Sequence, residues 1–78
     1  MPNDKIRYMI NFVTTEVISS LMEDSERTVQ EAMKAFYNSG VFERLCDVET
    51  GLYRESGGYV YDLYKTELKY GRLVRTET

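Results

Sequence analysis

The chain has 78 residues with a net charge of −3, from ten basic and thirteen acidic side chains, one cysteine and no histidine. A chain this short forms one domain at most and buries only about 60% of the surface its unfolded form exposes. One thiol excludes an internal disulfide and, without histidine, falls short of the four nitrogen or sulfur ligands of a structural zinc, so stability must come from helix packing or a second subunit.

The first periodic segment follows Pro2. Apolar residues at Ile6, Met9, Ile10, Val13, Val17 and Leu21 form a helical stripe, with Asn3 or Asp4 as its cap. The β-branched stretch from Ile10 to Ile18 also suits a strand, but an uninterrupted run of this length is ordinary for a helix and long for a strand. The spacing therefore predicts a helix over 5–22, followed by a polar connection over 23–27. Tyr8 and Phe12, four residues apart, lie off the main stripe, as do Ile18 and Met22. A helix that is apolar on more than one side is either central in a bundle or docked to another chain. With so few helices available to surround it, the second reading is preferred.

Thr28-Val29-Gln30-Glu31 fits a capping box and opens a second helix over 28–38, with Ser25 as a competing cap one turn earlier. Asn38-Ser39-Gly40 ends it. Val41, Phe42, Leu45, Cys46 and Val48 predict a short third helix over 41–48, with Cys46 as a buried, inert thiol because no histidine exists to activate it. Thr50-Gly51 stops that helix, in a turn that inserts Leu52 and Tyr53 into the core. The fourth helix spans 56–70, weakened at its start by Gly57 and Gly58 and stopped by Gly71; residues 72–78 read as a flexible tail.

These elements make an all-α chain, a small irregular bundle of four helices (long, medium, short, long) in a single domain over 1–78. The expected core is Ile10, Val13, Val17, Leu21, Ala32, Met33, Phe36, Phe42, Leu45, Leu52, Val60, Leu63 and Tyr64.

The last helix carries a carboxylate, Glu67, inside its apolar stripe, between Val60 and Leu63 on the helix surface. A buried carboxylate without partners costs several kcal/mol, so Glu67 is expected as a partly buried polar node. Its candidate partners are the hydroxyl of Tyr8, Tyr37 or Tyr53, or the guanidinium of Arg44 or Arg54. A catalytic or ligand-binding role for Glu67 is the alternative, but neither a histidine nor a fixed second acid accompanies it. Tyr61 departs most from the stripe of this tyrosine-rich helix and is a candidate for contact outside the fold.

No catalytic, cofactor-binding or metal-ligating pattern is present. Gly57-Gly58 lacks both phosphate-loop spacings. Residues 28–48 hold two helices around a glycine-bearing turn, which allows a helix-turn-helix DNA-binding regulator as an alternative. The second of these helices, however, carries Glu43, Asp47 and Glu49 beside Arg44, and carboxylates repel phosphate. No apolar run approaches the roughly 20 residues that cross a bilayer. The single thiol and the lack of an N-terminal apolar run set an expectation of a reducing cytoplasm without export. The functional expectation is a non-enzymatic protein that binds another protein or itself, most simply as a two-fold homodimer. The candidate interface residues are Tyr8, Phe12, Ile18, Met22 and Tyr61.

The order of segments, an opening apolar helix, then TVQEAMKAFYNSGVFERL, then ETGLYRESGGYVYDLYKTEL, resembles a family of small bacterial proteins of unassigned function. Some members of that family are encoded in toxin–antitoxin-like or mobile-element loci, beside ADP-ribosyltransferase-like genes. The resemblance covers about Ile6 to Tyr70. It implies a bacterial, cytoplasmic protein that serves as an accessory or neutralising, antitoxin-like partner, and it supplies no active residues.

Overall fold

A computed structural model describes residues 4–70. Four helices run in the order α1 (Asp4–Ser25), α2 (Val29–Tyr37), α3 (Gly40–Cys46) and α4 (Gly57–Tyr70), with 3₁₀ turns at Val48–Thr50 and Leu52–Arg54 between the last two. The described residues contain no strand, so the fold is the expected all-α bundle. The proposed Asn3 cap, the Gly71 stop and the tail over 72–78 lie outside the described residues.

α1 is the longest element and packs against α2, α4 and the second 3₁₀ turn. It continues to Ser25, three residues past the predicted end. Nothing in Glu23-Asp24-Ser25 breaks a helix, and Asp24 gains a tertiary partner, its carboxylate accepting the Tyr61 hydroxyl at 2.7 Å. The chain then reverses through Glu26, a non-glycine residue in the left-handed region at φ 55°.

α2 begins as its sequence predicts. The Thr28 hydroxyl accepts the Glu31 N–H at 3.1 Å, and the Glu31 carboxylate accepts the Thr28 N–H at 3.1 Å, which closes the capping box.

α3 ends at Cys46, short of the predicted Val48. Local side-chain bonds compete with the helix there. The Asp47 carboxylate accepts the Glu49 N–H at 3.1 Å, and the Thr50 hydroxyl donates to the Arg44 and Asp47 carbonyls at 2.6 and 2.8 Å. Gly51, at φ 70°, then turns the chain so that Leu52 and Tyr53 are buried, as the sequence suggests.

The core gathers residues from every helix around Phe36. Its ring meets those of Phe42 and Tyr64 edge-on, at centroid distances of 5.4 and 5.6 Å. Val13, Val17, Leu21, Ala32, Phe36, Leu45, Leu52, Val60 and Tyr64 are buried as expected. Ile10, Met33, Phe42 and Leu63 are only partly buried at the core's edge, while Ile18, Val41 and Tyr61 are buried without having been expected there. Two helix phases account for most of the difference. α3 turns its i, i+4 pair Val41 and Leu45 inward, which rotates Cys46 outward; its thiol is exposed, a correction to the expected buried one. α4 is rotated toward Tyr61 by somewhat less than the ~100° that separates neighbouring helical residues. It buries Gly57, Val60, Tyr61 and Tyr64 and leaves Tyr59, Leu68 and Tyr70 exposed.

Candidate functional site

Two constructions bear on function: the environment of Glu67 and the outward face of α1.

Glu67 is half-buried near the end of α4. Its partners are neither tyrosine hydroxyls nor guanidinium groups, as the sequence suggests, but backbone amides. Gly40 N–H donates to Oε2 at 2.9 Å and Val41 N–H to Oε1 at 3.0 Å. The third early amide of α3, at Phe42, donates to the Ser39 hydroxyl at 3.1 Å, and that hydroxyl donates in turn to the Phe36 carbonyl at 2.6 Å. The first amides of a helix have no intrahelical acceptor and carry partial positive charge. Glu67 therefore acts as a cap delivered across the fold, from residues 26 and 27 positions away in sequence. The sequence contains the ingredients, a carboxylate in an apolar stripe and a Ser-Gly helix start, but nothing local pairs them. With both carboxylate oxygens engaged by amides, Glu67 is placed as a fold-holding group.

Tyr61 is buried rather than exposed. It donates to Asp24, stacks on Tyr64 at 6.4 Å, and is covered by the Lys65 ammonium 4.8 Å from its ring centroid. Burial, then the Asp24 hydrogen bond and the nearby negative charge, push its phenol from 10 up to about 12. Ile18 is buried and Met22 packs against the core. Tyr61 and Ile18 are therefore withdrawn from the candidate interface, because their side chains are spent inside the fold, whereas Met22 is only partly buried.

Tyr8 and Phe12 stay outside, 70% and 54% exposed. Asn11, Thr15 and Ser19 are exposed on the same side of the helix, so its outward stripe is uncharged from Tyr8 to Ser19, with Glu16 at its margin. Grooves flank the stripe. One of about 260 Å³ runs between α1 and α2, lined by Asn11, Thr15, Ile18, Val29, Met33 and Tyr37 among others. On the other side, Tyr8, Met9, Phe12 and Val13 face Tyr53, Arg54 and Glu55. Next to that lies a broad, open groove of about 510 Å³, where Phe12, Thr15, Glu16, Ser19 and Ser20 face Gly57 and Gly58. Gly57 lies so close to α1 that a Cβ there would come within 2.5 Å of the Glu16 Cβ, whereas a Cβ on Gly58 would meet nothing nearer than the Ser56 hydroxyl at 3.9 Å.

Among the described residues no cluster of three or more His, Cys, Asp or Glu side chains is arranged to hold a metal, and no helix is long and apolar enough to cross a membrane. Comparison with protein families, curated proteins and solved structures gives no match.

Proposed function

We propose that this chain works by binding protein, another or itself, through the outward face of α1 around Tyr8 and Phe12. The observation that carries the reading is the exposure of two aromatic rings, four residues apart, on an uncharged stripe of the longest helix. Aromatic side chains of this kind are enriched in the centres of protein interfaces, where charged residues are depleted. The engagement of both Glu67 oxygens by α3 amides supports a structural role for the carboxylate and a non-enzymatic protein. The DNA-binding alternative gains no support, because α3 is seven residues long and exposes Glu43 beside Arg44, with Asp47 and Glu49 just beyond it. The family resemblance points to a cytoplasmic accessory or antitoxin-like role, with the product of a neighbouring gene as the first partner to examine.

The test is affinity capture of the tagged chain from its own host, with the wild type compared with a Tyr8→Ala/Phe12→Ala variant. Both positions are exposed, so the variant keeps its helical circular dichroism. Loss of the captured protein, be it a second protein or an untagged copy of the chain, supports the reading. Capture of the same proteins in the same amounts by the folded variant overturns it.

A further inference from the structure

Resting on that protein-binding reading, we propose that the occupant of the α1 face is a second copy of this chain, docked by an antiparallel α1–α1 contact about a two-fold axis near Thr14 and Thr15. A two-fold interface must be self-complementary: if residue i meets residue j, then j meets i. The α1 face has this property in shape and, at its two ends, in charge.

The shape argument starts from two features at different heights on one helix. The projecting feature is the pair of rings at Tyr8 and Phe12. The receiving feature is the far end of an open groove: Phe12 and Thr15 line its near end, and Glu16, Ser19, Ser20, Gly57 and Gly58 its far end, where the small side chains and two glycines leave room beside the helix. The rings centre on about position 10 and the far end of the groove on about position 18. An antiparallel partner with its axis near position 14 therefore sets each pair of rings over the other protomer's groove. Gly57 is fixed by its close approach to Glu16, but Gly58 points at open space within the chain. A Cβ at Gly58 is thus free of clashes in one copy and would stand where a partner's ring is to lie.

The charge argument is independent of the shape. Reflection through position 14 sets Lys5 opposite Glu23. Both are exposed, both lie on the same side of α1 as Phe12, and neither forms an ion pair among the described residues. They lie about 27 Å apart along the helix at 1.5 Å per residue, too far to meet within one chain. In the antiparallel dimer the pair forms twice, once at each end of the contact. A parallel arrangement would set Lys5 against Lys5 and Glu23 against Glu23.

The experiment is sedimentation equilibrium of the full chain across micromolar to near-millimolar concentrations, with helicity followed by circular dichroism. The wild type is expected to form a dimer, and Gly58→Leu to remain helical and monomeric. Lys5→Glu and Glu23→Lys alone are each expected to weaken dimerisation about tenfold, because the symmetry duplicates each charge change, and the double variant to recover most of that loss. The proposal is overturned if the wild type is monomeric throughout, if folded Gly58→Leu dimerises like the wild type, or if the double charge variant is no better than the singles. The charge pair keeps the test decisive should Gly58→Leu fail to fold. A wild type that stays monomeric, yet captures another protein in a manner dependent on Tyr8 and Phe12, overturns this inference alone and leaves the protein-binding reading standing.

Discussion

Glu67→Ala is the substitution whose cost follows most directly from the geometry. It removes the acceptors of two amide hydrogen bonds, at 2.9 and 3.0 Å, from the first turn of α3. A hydrogen bond to a charged group contributes about 1.5–3 kcal/mol net, and a carboxylate near a helix N-terminus adds about 0.3–1 kcal/mol. Two full-strength bonds would sum to about 3–6 kcal/mol. Glu67 and Gly40 are half-buried, however, so water can reach the vacated amides and recover part of that sum. The expected loss is therefore near the lower end, about 2–3 kcal/mol. Glutamine keeps one carbonyl oxygen for one of the two amides and loses the charge, so Glu67→Gln should cost about 1–2 kcal/mol. In a domain of this size the alanine variant should melt about 10–20 °C lower. Urea denaturation gives the free energies, and amide hydrogen exchange gives the location. Gly40 and Val41 should lose protection in the alanine variant, while Phe42 keeps its Ser39 acceptor and loses less. A loss under about 0.5 kcal/mol, the scatter of ordinary surface substitutions, would refute the capping role.

Other positions give sharp contrasts. Gly57→Ala should destabilise by about 1–3 kcal/mol, because its Cβ would collide with Glu16, whereas Gly58→Ala should stabilise the single chain by about 0.5–1 kcal/mol through better helix propensity; urea titration of the two variants at dilutions where the chain is monomeric reads both signs. Glu26→Gly should stabilise by about 0.5–1 kcal/mol, since φ 55° costs a side chain that glycine lacks, and an unchanged midpoint would show that the conformation is unstrained. Tyr61→Phe should cost about 1 kcal/mol at neutral pH through the lost bond to Asp24. Because the folded phenol titrates at about 12 rather than 10, its protonated form contributes stability fully below pH 10, and that contribution is lost as pH rises from 10 to 12. Denaturation in that window should therefore show a steeper fall for the wild type than for the phenylalanine variant.

The helices and most of the core were legible because their signals are local. The Thr28–Glu31 capping box, the Gly51 turn and the stripe from Val13 to Leu21 each encode structure within a few residues. The errors lie where distant groups decide. Asp24 supplies the partner that turns Tyr61 inward, and neither residue reveals this in its own segment. The first turn of α3, which sets the Val41–Leu45 phase and exposes Cys46, is held by Glu67 from the last helix. Glu67 was legible as a polar node but not in its partners, because main-chain amides leave no mark on residue identity. Tyr8 and Phe12 were legible as an off-stripe pair on the first helix. The groove beside them was not, because it requires the Gly57-Gly58 start of α4 to lie against Glu16 and Ser20.

Hydroxyl-radical footprinting of individual aromatic side chains tests the central claim, that the α1 face is covered by protein, most directly. Tyr8, Phe12, Tyr59 and Tyr70 are 70%, 54%, 50% and 69% exposed in the single chain, so all four should be modified readily when the chain is dilute. On association, whether with its own copies at high concentration or with a captured partner, Tyr8 and Phe12 should become protected while Tyr59 and Tyr70, on α4, continue to react. Equal modification of Tyr8 and Phe12 in the dilute and associated states, or protection confined to Tyr59 and Tyr70, would contradict the account.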